Sequence, residues 1–507
     1  MPPCRALRVE GPALEYAPGE IRARYVHRAT EVVPAEEEPG GWIARPREEV
    51  YEFRTDRRAP TKLGVMLVGW GGSNGTTLTA GLLAHRHSVA WRDRKGERRP
   101  NFWGSFTQAA TTHVGTGPGG GVHAPFAALP PMAAPADLVL GGWDVTGEDL
   151  GAAAEGAGVL EPDLLRQLRP FLAELVPLPG VFDPGFVAPN QAARARAVVA
   201  GGPREQVARL RGDLRAFRER TGASRLVVLW AASTERAAEP GLAETAEGLL
   251  AAIAAGAAGL PPSVLYAAAC AQEGVPFING SPQDSLTPGV VALAALGGGL
   301  VAGDDLKSGQ TKVKSALVEM LVGAGLPPQA LVSYNHLGNN DGANLSAPQC
   351  VEAKLASKTR LVEDILATNG VLFPEGAPRP DHRVVIEYIP HVGDSKRAID
   401  EYSSGVFLGG TSTLVLYHVC EDSLLAAPLF LDLALLADLF SRIRVRPPGA
   451  EAPLPLPTNV SGLLAYFFKK PSSRVGALGA QRAELENFLR ICAGLPPVTH
   501  VRPAHFA

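Results

Sequence analysis

The sequence predicts an α/β protein whose core is a doubly wound parallel sheet, and three observations support this fold class. Apolar runs at residues 63–68, 137–144 and 225–230 are long enough for buried strands and too short for helices. Arginine-rich amphipathic stretches at 162–175 and 204–220 have the periodicity of surface helices between those strands. The runs end in turns of small or polar residues, which is the order of elements in a parallel α/β sheet.

A glycine-rich turn follows the first predicted strand. It contains Gly69, Gly71, Gly72 and Gly75, and an apolar pattern of helical period follows it. Glycines let the backbone approach a pyrophosphate, and a helix start offers unpaired N–H groups and a positive dipole end. The turn is one residue longer than the usual GxGxxG fingerprint, with Asn74 at the third glycine position. The order strand, turn and helix predicts a dinucleotide site, and an ordinary glycine turn is the alternative.

Asp144, at the end of the next predicted strand, is the candidate that would bind the ribose of such a nucleotide. It lies further from the glycines than is customary, so the interpretation requires an insertion in the nucleotide fold. The basic segment 92–100 and the glycine-rich segment 115–121 are read as this insertion. A solvated loop aspartate is the alternative. Because no arginine lies in the turn of Asp144, the sequence predicts NAD in preference to NADP.

Composition limits the classes of protein and partner. The chain has 507 residues, 46% of them apolar, and a net charge of −3. This length predicts at least two domains or one large discontinuous domain, and the charge gives no reason to expect nucleic acid or an anionic membrane as a partner. Five widely spaced cysteines predict neither a disulfide framework nor a zinc site. No segment reads as a signal peptide or a membrane span, so we expect a cytosolic protein, and the first sixty residues read as an arm.

The segment 302–358 is the densest in functional groups. It contains GDDLKSGQTKVKS and SYNHLGNNDG, followed by Lys354 and Lys358 one helical turn apart. Two lysines at this spacing face the same side of a helix, where they are either a solvated face or an anion site. Carboxylates, amides and further lysines crowd the same stretch, and GDSK and EDS follow later in the chain. Such clusters in turns suit a phosphorylated polyol substrate.

Taken together, the motifs resemble a known family. GWGGSNG, NGSPQ, GDDLKSGQTKVKS, SYNHLGNNDGANLSAP, GDSKRAIDEY and CEDSLLAAPLFLDLALL occur in this order. They are similar to motifs of the myo-inositol-1-phosphate synthases of the eukaryotic type, and the similarity covers nearly the whole chain. The resemblance implies an NAD-binding Rossmann-type domain built from both ends of the chain, residues 1–307 and 422–507. It also implies an inserted α+β catalytic and tetramerisation domain at residues 308–421.

The resemblance further implies a reaction. The family converts glucose 6-phosphate to inositol phosphate by oxidation at carbon 5, enolisation, aldol closure and re-reduction, with NAD bound throughout and no net redox change. Each intermediate is an oxyanion or enolate, which preorganised ammonium groups stabilise. Matching the motifs implies catalytic roles for Lys354, Lys358, Lys396, Lys469 and Asp305. Lys354 is expected to move the proton at the carbon 5 oxygen, with a pKa lowered by burial and by Lys358, and with Lys469 as its partner.

Lys358 and Lys396 are expected at the phosphate and the aldol oxygens. Lys470, which adjoins Lys469, is the alternative to it. The resemblance also implies a set of residues that contact NAD. These are Gly71, Gly72, Ser73, Asn74, Asp144, Gln191, Arg194, Ala231, Ser233, Thr234, Gly280, Ser281, Asp305, Ser308, Asn339, Asn340, Asp341, Lys354, Gly393, Asp394, Asp422 and Ser423. No metal site is expected.

The chain departs from the family pattern at four places. Ser73 stands where asparagine is common, AASTER replaces TANTER from Ala231, Asp284 replaces asparagine, and Glu352 replaces arginine. A pyrophosphate cradled by backbone tolerates such changes, so we expect altered NAD affinity before altered chemistry. Two alternatives stay open: an NAD-binding regulatory protein without turnover, and an ordinary NAD dehydrogenase with net redox. The apolar run 406–417 and the very apolar stretch 424–439 predict a homo-oligomer, with a thick internal core as the alternative.

Overall fold

The computed structural model describes residues 7–36, 40–470 and 475–499, without the side chains of residues 349, 353 and 356–360. A six-stranded parallel sheet forms its centre. Its strands are β4 (Leu63–Val68), β9 (Leu138–Asp144), β10 (Leu178–Pro179), β11 (Arg225–Trp230), β12 (Phe277–Asn279) and β13 (Val301–Gly303). The helices that accompany it are α1 (Ser73–Arg86), α2 (Leu150–Ala157), α3 (Pro162–Ala173), α4 (Pro203–Thr221), α5 (Ala246–Ala255), α6 (Pro262–Gln272) and α7 (Pro288–Gly297).

The strand order of this sheet is β10-β9-β4-β11-β12-β13, and all neighbours are parallel. Numbered by their order along the chain, the strands follow the 3-2-1-4-5-6 order of dinucleotide-binding folds. Every residue of β4 is buried, because separate hydrophobic cores lie on the two faces of the sheet. The predicted α/β doubly wound fold class is confirmed, and α3 and α4 coincide closely with the helices predicted from the arginine-rich stretches.

The segment between α1 and β9 forms two antiparallel hairpins. They are β5 (Trp91–Asp93) with β6 (Gly96–Arg98), and β7 (Thr111–Gly117) with β8 (Gly120–Pro125). They contain most of the basic segment and the glycine-rich segment of the predicted insertion. Because the hairpins separate the first two strands of the sheet, Asp144 can lie far along the chain from the glycines and still end the strand beside β4.

The N-terminal region is more ordered than the predicted arm. It forms β1 (Leu14–Ala17), β2 (Glu20–Pro34) and β3 (Trp42–Asp56), three antiparallel strands. The C-terminal part of the chain adds β18 (Ile443–Arg446) beside β3, followed by β19 (Leu454–Pro455). Residues 14–56 and 443–455 therefore contribute to one five-stranded sheet.

A second structural unit lies between β13 and the C-terminal part. It contains α8 (Gly309–Gly323), β14 (Pro328–Leu337), α9 (Asn340–Asn344), α10 (Pro348–Leu366), β15 (Asp381–Tyr388), β16 (Ser395–Val406) and β17 (Gly410–Glu421). Its four strands have the order β15-β14-β16-β17. A small core formed by α8, α10 and one face of this sheet includes Val318, Val362 and Tyr402. The opposite face leaves Tyr334, Ile399 and Tyr417 exposed, and we call it the open face.

Two α-helices follow the second unit in the described part of the chain, α11 (Asp422–Phe440) and α12 (Leu478–Cys492). By length and composition α11 could cross a membrane, contrary to the sequence expectation, but 83% of its most apolar window is buried inside the protein. Its leucines pack with α1 and the central sheet. The apolar stretch 424–439 is therefore core, and the alternative of a thick internal core is the correct one for this stretch.

Candidate active site

A cavity of about 680 Å³ lies at the carboxyl ends of the central strands. Its wall includes the glycine turn, the ends of β9 and β11, the segment after β13, and parts of the second unit, including α9, α10 and β16. This is the edge at which doubly wound sheets bind ligands, and the volume lies in the range of small-molecule and cofactor sites. The cavity has two chemically different ends, one built around the glycine turn and one around lysines.

The glycine turn packs tightly against its neighbours. Gly69 has φ +83°, and a Cβ there would lie 2.8 Å from the Cα of Ala232. A Cβ on Gly75 would lie 2.3 Å from the carbonyl oxygen of Trp70. Helix α1 starts after Gly72 with no side-chain cap and no acidic residue in its first turn. Its first N–H groups thus face the cavity at Ser73 and Asn74, which fits a bound pyrophosphate.

Asp144 lies directly beside this turn. Its carboxylate accepts hydrogen bonds from the N–H of Gly71 at 2.9 Å and of Thr146 at 3.1 Å. This is the position, at the end of the strand next to the glycine strand, from which a carboxylate reaches a ribose. No arginine lies in the turn of Asp144 itself, although Arg194, a predicted site residue, and Arg196 line the same cavity. The backbone N–H of Arg196 donates a hydrogen bond to the backbone carbonyl oxygen of Val145 at 2.7 Å, which fixes the position of this residue.

Helix α9 connects the second unit to the nucleotide end. The Asn340 amide donates to Gln191 at 3.0 Å and to Ser233 at 3.3 Å. The Thr234 hydroxyl donates to Asp341 at 3.3 Å. These contacts bring together residues that are more than a hundred positions apart in the chain. They place the turn after β11 and the second unit on opposite walls of one cavity.

The other end of the cavity holds three buried lysines, Lys354, Lys396 and Lys469, which we call the lysine cluster. Asp305 follows β13 and accepts hydrogen bonds from Lys469 at 2.6 Å and Lys354 at 3.3 Å. Lys354 also contacts Asp341 at 3.3 Å. The three lysines come from α10, β16 and the segment before α12, so only the folded chain assembles them. Lys469, not Lys470, is the lysine whose ammonium contacts Asp305.

The carboxylates determine which lysine keeps its proton. Burial disfavours the charged form of Lys354, but Asp305, Asp341 and Asp422 together raise its pKa above the usual value. Burial lowers the pKa of Lys469 to about 8, because Asp305 only partly offsets burial and the nearby Lys354 and Lys396. Burial would raise the pKa of Asp305, yet Lys354 and Lys469 hold it at about 2. The expectation of a lowered pKa at Lys354 is therefore wrong, whereas the pKa of its partner Lys469 is lowered.

Lys396 and the start of α11 form the remaining side of this end. The Lys396 ammonium lies 3.4 Å from Asp422. Asp394 accepts hydrogen bonds from the Ser423 N–H at 2.9 Å and from its hydroxyl at 2.7 Å. Burial raises the pKa of Asp394, whereas Lys396, Lys354 and Lys469 overcome burial and lower the pKa of Asp422. Asp394 thus fixes the first turn of α11, and Asp422 balances the lysine cluster.

Most of the predicted site residues line this one cavity. They are Gly71, Gly72, Ser73, Asn74, Asp144, Gln191, Arg194, Ala231, Ser233, Gly280, Ser281, Asp305, Ser308, Asn339, Asn340, Asp341, Lys354, Gly393, Lys396, Asp422, Ser423 and Lys469. Thr234 and Asp394 do not line it and instead hold neighbouring residues in place. Lys358 belongs to α10, but its side chain lies outside the described part of the chain.

Sequence reasoning missed several residues at the nucleotide end, notably Trp143, Trp230, Glu235 and Tyr266. Glu235 is buried, accepts a hydrogen bond from the Ser263 N–H at 3.0 Å, and has a pKa raised by burial to about 8. Its position in the polar turn after β11 is a signal that could have identified it. Tyr266 sits in an apolar helix and reaches the cavity only through tertiary packing, so the sequence contained no signal for it.

Comparison with known proteins agrees with this arrangement. The sequence profile of the family described as myo-inositol-1-phosphate synthase matches residues 63–490. The chain is 48% identical over 499 residues to inositol-3-phosphate synthase of Spirodela polyrhiza, covering 97% of each chain. It is 49% identical over 502 residues to isozyme 2 of Arabidopsis thaliana, covering 97% of this chain and 98% of the relative.

Solved structures give the same result. The crystal structure of inositol-3-phosphate synthase from Caenorhabditis elegans superposes with a TM-score of 0.94 at 38% identity, covering 99% of both chains. A related protein from Thermotoga maritima, 19% identical with a TM-score of 0.59 over 86% of this chain and 100% of its own, shares the fold. The extent of these matches, together with the confirmed fold class, shows that the chain belongs to the myo-inositol-1-phosphate synthase family.

Proposed function

We propose that this protein isomerises D-glucose 6-phosphate to 1D-myo-inositol 3-phosphate, also named 1L-myo-inositol 1-phosphate, with NAD as its cofactor, as the first step of inositol and inositol-phospholipid biosynthesis. The observation that carries the proposal is the hydrogen-bonded series Lys469, Asp305 and Lys354 in the same cavity as the glycine turn. A dinucleotide on the glycine turn and a sugar phosphate beside the lysine cluster would then share one enclosed site.

The residues present fit NAD. The first N–H groups of α1 would hold its pyrophosphate, Asp144 its adenosine ribose, and the turn from Ala231 to Thr234 its flanking surface. NAD would supply an acceptor for two electrons that are later returned to the same substrate. Asn340, through Gln191 and Ser233, keeps the nucleotide end at a fixed distance from the lysine cluster. This pre-organisation matters because the reacting atoms must be aligned before chemistry begins.

The lysine cluster divides the chemical tasks by charge. Lys469, whose pKa burial lowers to about 8, is neutral in about a tenth of the molecules at pH 7 and would remove the hydroxyl proton at carbon 5. Lys354 stays charged between its carboxylates and would stabilise oxyanions as they develop. Lys396 would contribute at the phosphate or the aldol oxygens, and Lys358 stays a prediction for the same task. Asp305, which accepts hydrogen bonds from both Lys354 and Lys469, would fix their positions relative to each other.

The direct test is turnover with NAD in substoichiometric amount. Purified protein is incubated with glucose 6-phosphate, and both inositol phosphate and free NADH are measured. We expect many equivalents of inositol phosphate per NAD and no accumulated NADH. Stoichiometric NADH would instead indicate an ordinary dehydrogenase, and NAD binding without product would indicate a regulatory protein. Either result would contradict the proposal.

We also propose that the protein is a homo-oligomer, a tetramer by family resemblance, associating through the open face. Tyr334, Ile399 and Tyr417 are directly paired across β14, β16 and β17, and their exposures are 50%, 40% and 59%. Exposed apolar patches of this kind mark association surfaces. Sedimentation of Tyr417→Glu should show dissociation, whereas Leu296→Glu, at an even more exposed apolar position on α7, should leave the assembly intact. A wild-type protein that stays monomeric at micromolar concentration contradicts the proposal.

We propose the same domain boundaries as the resemblance implies, with residues 308–421 inserted between 1–307 and 422–507. The antiparallel pairing of β3 with β18 supports this division, because it joins a strand from residues 1–307 to a strand from residues 422–507. A cytosolic location is proposed as well. Cys270, Cys350, Cys420 and Cys492 are free thiols, as expected in a reducing compartment.

A further inference from the structure

A fourth buried lysine lies behind the lysine cluster. Lys307 is 2% exposed and follows β13 two residues after Asp305. Its ammonium donates to the side-chain oxygen of Gln481 on α12 at 2.8 Å. Gln481 is itself buried and donates to the Val475 oxygen at 3.1 Å. Lys307 therefore connects the segment of Asp305 to the segment that leads into the C-terminal helix.

The backbone around Lys307 is paired with the segment of Lys469. The backbone N–H of Lys307 donates to the backbone carbonyl oxygen of Phe467 at 2.7 Å. The backbone N–H of Lys469 donates to the backbone carbonyl oxygen of Asp305 at 2.9 Å. Leu306 and Phe468 form an antiparallel bridge between these bonds. The pairing sets Asp305 opposite Lys469 at the 2.6 Å side-chain separation that the active site requires.

The side chains of Lys307 and Lys469 share a second, small cavity. Its volume is about 10 Å³, and Lys307, Lys469 and Gln481 are among the residues that line it. Lys469 also lines the large cavity, whereas Lys307 does not. Lys469 thus lines both cavities, whereas Lys307 lines only the small one, so Lys307 adjoins the space behind Lys469 and not the large cavity.

We propose that Lys307 is a positioning residue for the proposed reaction: through Gln481 and the paired backbone it fixes Lys469 against Asp305. The inference rests on the proposed function. Burial lowers the pKa of Lys307 to about 7, and Lys312 adds to this, while Asp364, Asp304 and Glu319 oppose it. Both protonation states can donate a proton to the Gln481 oxygen, so the connection does not require the charge.

The chain offers a matched control in Lys314. It is also 2% exposed, lies on α8, donates its ammonium proton to the Ser333 hydroxyl, and lines neither cavity. Lys307→Met and Lys314→Met remove equally buried amines, so both are expected to lower the melting temperature. Only the first should disturb Lys469.

The experiment compares kcat, KM for glucose 6-phosphate and the NAD dissociation constant in wild type, Lys307→Met, Lys314→Met and Gln481→Met. We expect kcat to fall roughly 10- to 100-fold in Lys307→Met and Gln481→Met, the cost of a small misplacement of a reacting group. KM and NAD affinity should stay within about twofold, since neither residue lines the large cavity. The double variant Lys307→Met/Gln481→Met should lose no more activity than either single variant, because each substitution removes the same hydrogen bond between Lys307 and Gln481.

Equal losses of kcat in Lys307→Met and Lys314→Met would overturn the inference, as would a changed KM with unchanged kcat. If Lys307→Met does not fold, Gln481→Met decides alone: a kcat equal to wild type overturns the inference. A wild-type protein without inositol phosphate synthesis would instead refute the proposed function, which is a distinguishable result.

Discussion

The two ends of the active-site cavity are lined by different kinds of chemical group. The nucleotide end consists mainly of backbone: the glycine turn, the first N–H groups of α1, and Asp144 bound to the Gly71 N–H. The lysine cluster consists of side-chain charges from α10, β16 and the segment before α12, joined through carboxylates. Backbone donors survive side-chain substitution, whereas a charge network fails when one member is lost. We therefore expect the ends to respond differently to mutation.

The strongest test of this comparison removes Lys469. Lys469→Met should lower kcat by about 10²–10⁴-fold, the contribution typical of a general acid–base group. NAD affinity should change little, since the contacts of the nucleotide end do not involve Lys469. Steady-state kinetics measures kcat, and the quenching of the protein's fluorescence on titration with NAD measures NAD affinity. Lys470→Met is the control. An equal loss of kcat in that variant would show that the assignment of this role to Lys469 and not to Lys470 is wrong.

At the nucleotide end the largest effect should come from a glycine, not from a side chain. Gly69→Ala places a Cβ at φ +83° against the Ala232 backbone, a strain of about 1–3 kcal/mol. We expect NAD affinity to fall roughly 5- to 100-fold as the turn shifts to relieve it. Gly81→Ala on α1 is the control, because a Cβ there meets nothing within 4 Å and should leave affinity unchanged. Equal NAD affinity in both variants would contradict the backbone account.

The pH dependence of kcat distinguishes the lysines. Because Lys469 must be neutral to accept a proton and its pKa is about 8, kcat should rise about tenfold per pH unit below pH 8 and level off above it. Lys396 lowers the pKa of Lys469, so Lys396→Met should move the rise toward alkaline pH. The profile of the Lys470→Met variant should coincide with that of wild type. A flat wild-type profile from pH 6 to 9 would rule out Lys469 as the base.

The smallest effect is expected at Ser73, where the chain departs from the family pattern. Ser73→Asn restores the common residue but leaves the backbone donors in place. We expect NAD affinity to change by no more than about twofold, because substitutions outside special features change free energies by about 0.5 kcal/mol or less. Isothermal titration with NAD measures it. A gain above tenfold would show that side chains at this end matter as much as backbone.

Sequence reasoning worked best where a local pattern has a local cause. The glycine turn, the apolar strands and the amphipathic helices follow from backbone freedom and periodicity over a few residues, and the structure contains them. Asp144 was found because a strand end is a local feature. The motifs also identified Lys354, Lys396 and Lys469 as one group, although nothing in their spacing shows that they meet.

Tertiary electrostatics was the part that could not be predicted. The pKa of Lys354 depends on Asp305, Asp341 and Asp422, which come from three other segments, so burial and one neighbouring lysine were an incomplete set of causes. Arg196 lines the same cavity as Asp144 through tertiary packing, which its position in the sequence does not show. The stretch 424–439 looked like an association surface because its apolar content is visible in the sequence while its neighbours in the core are not.

The position of α11 has a consequence for the order in which the molecule can be made. The helix packs on α1 and β11, yet the ribosome adds it after more than four hundred residues. Until then one hydrophobic face of the central sheet has no cover, and its contacts span long sequence separations, which slow folding and expose aggregation-prone intermediates. Chains truncated before residue 422 should therefore precipitate or associate with chaperones during synthesis, although they contain every strand of the nucleotide sheet.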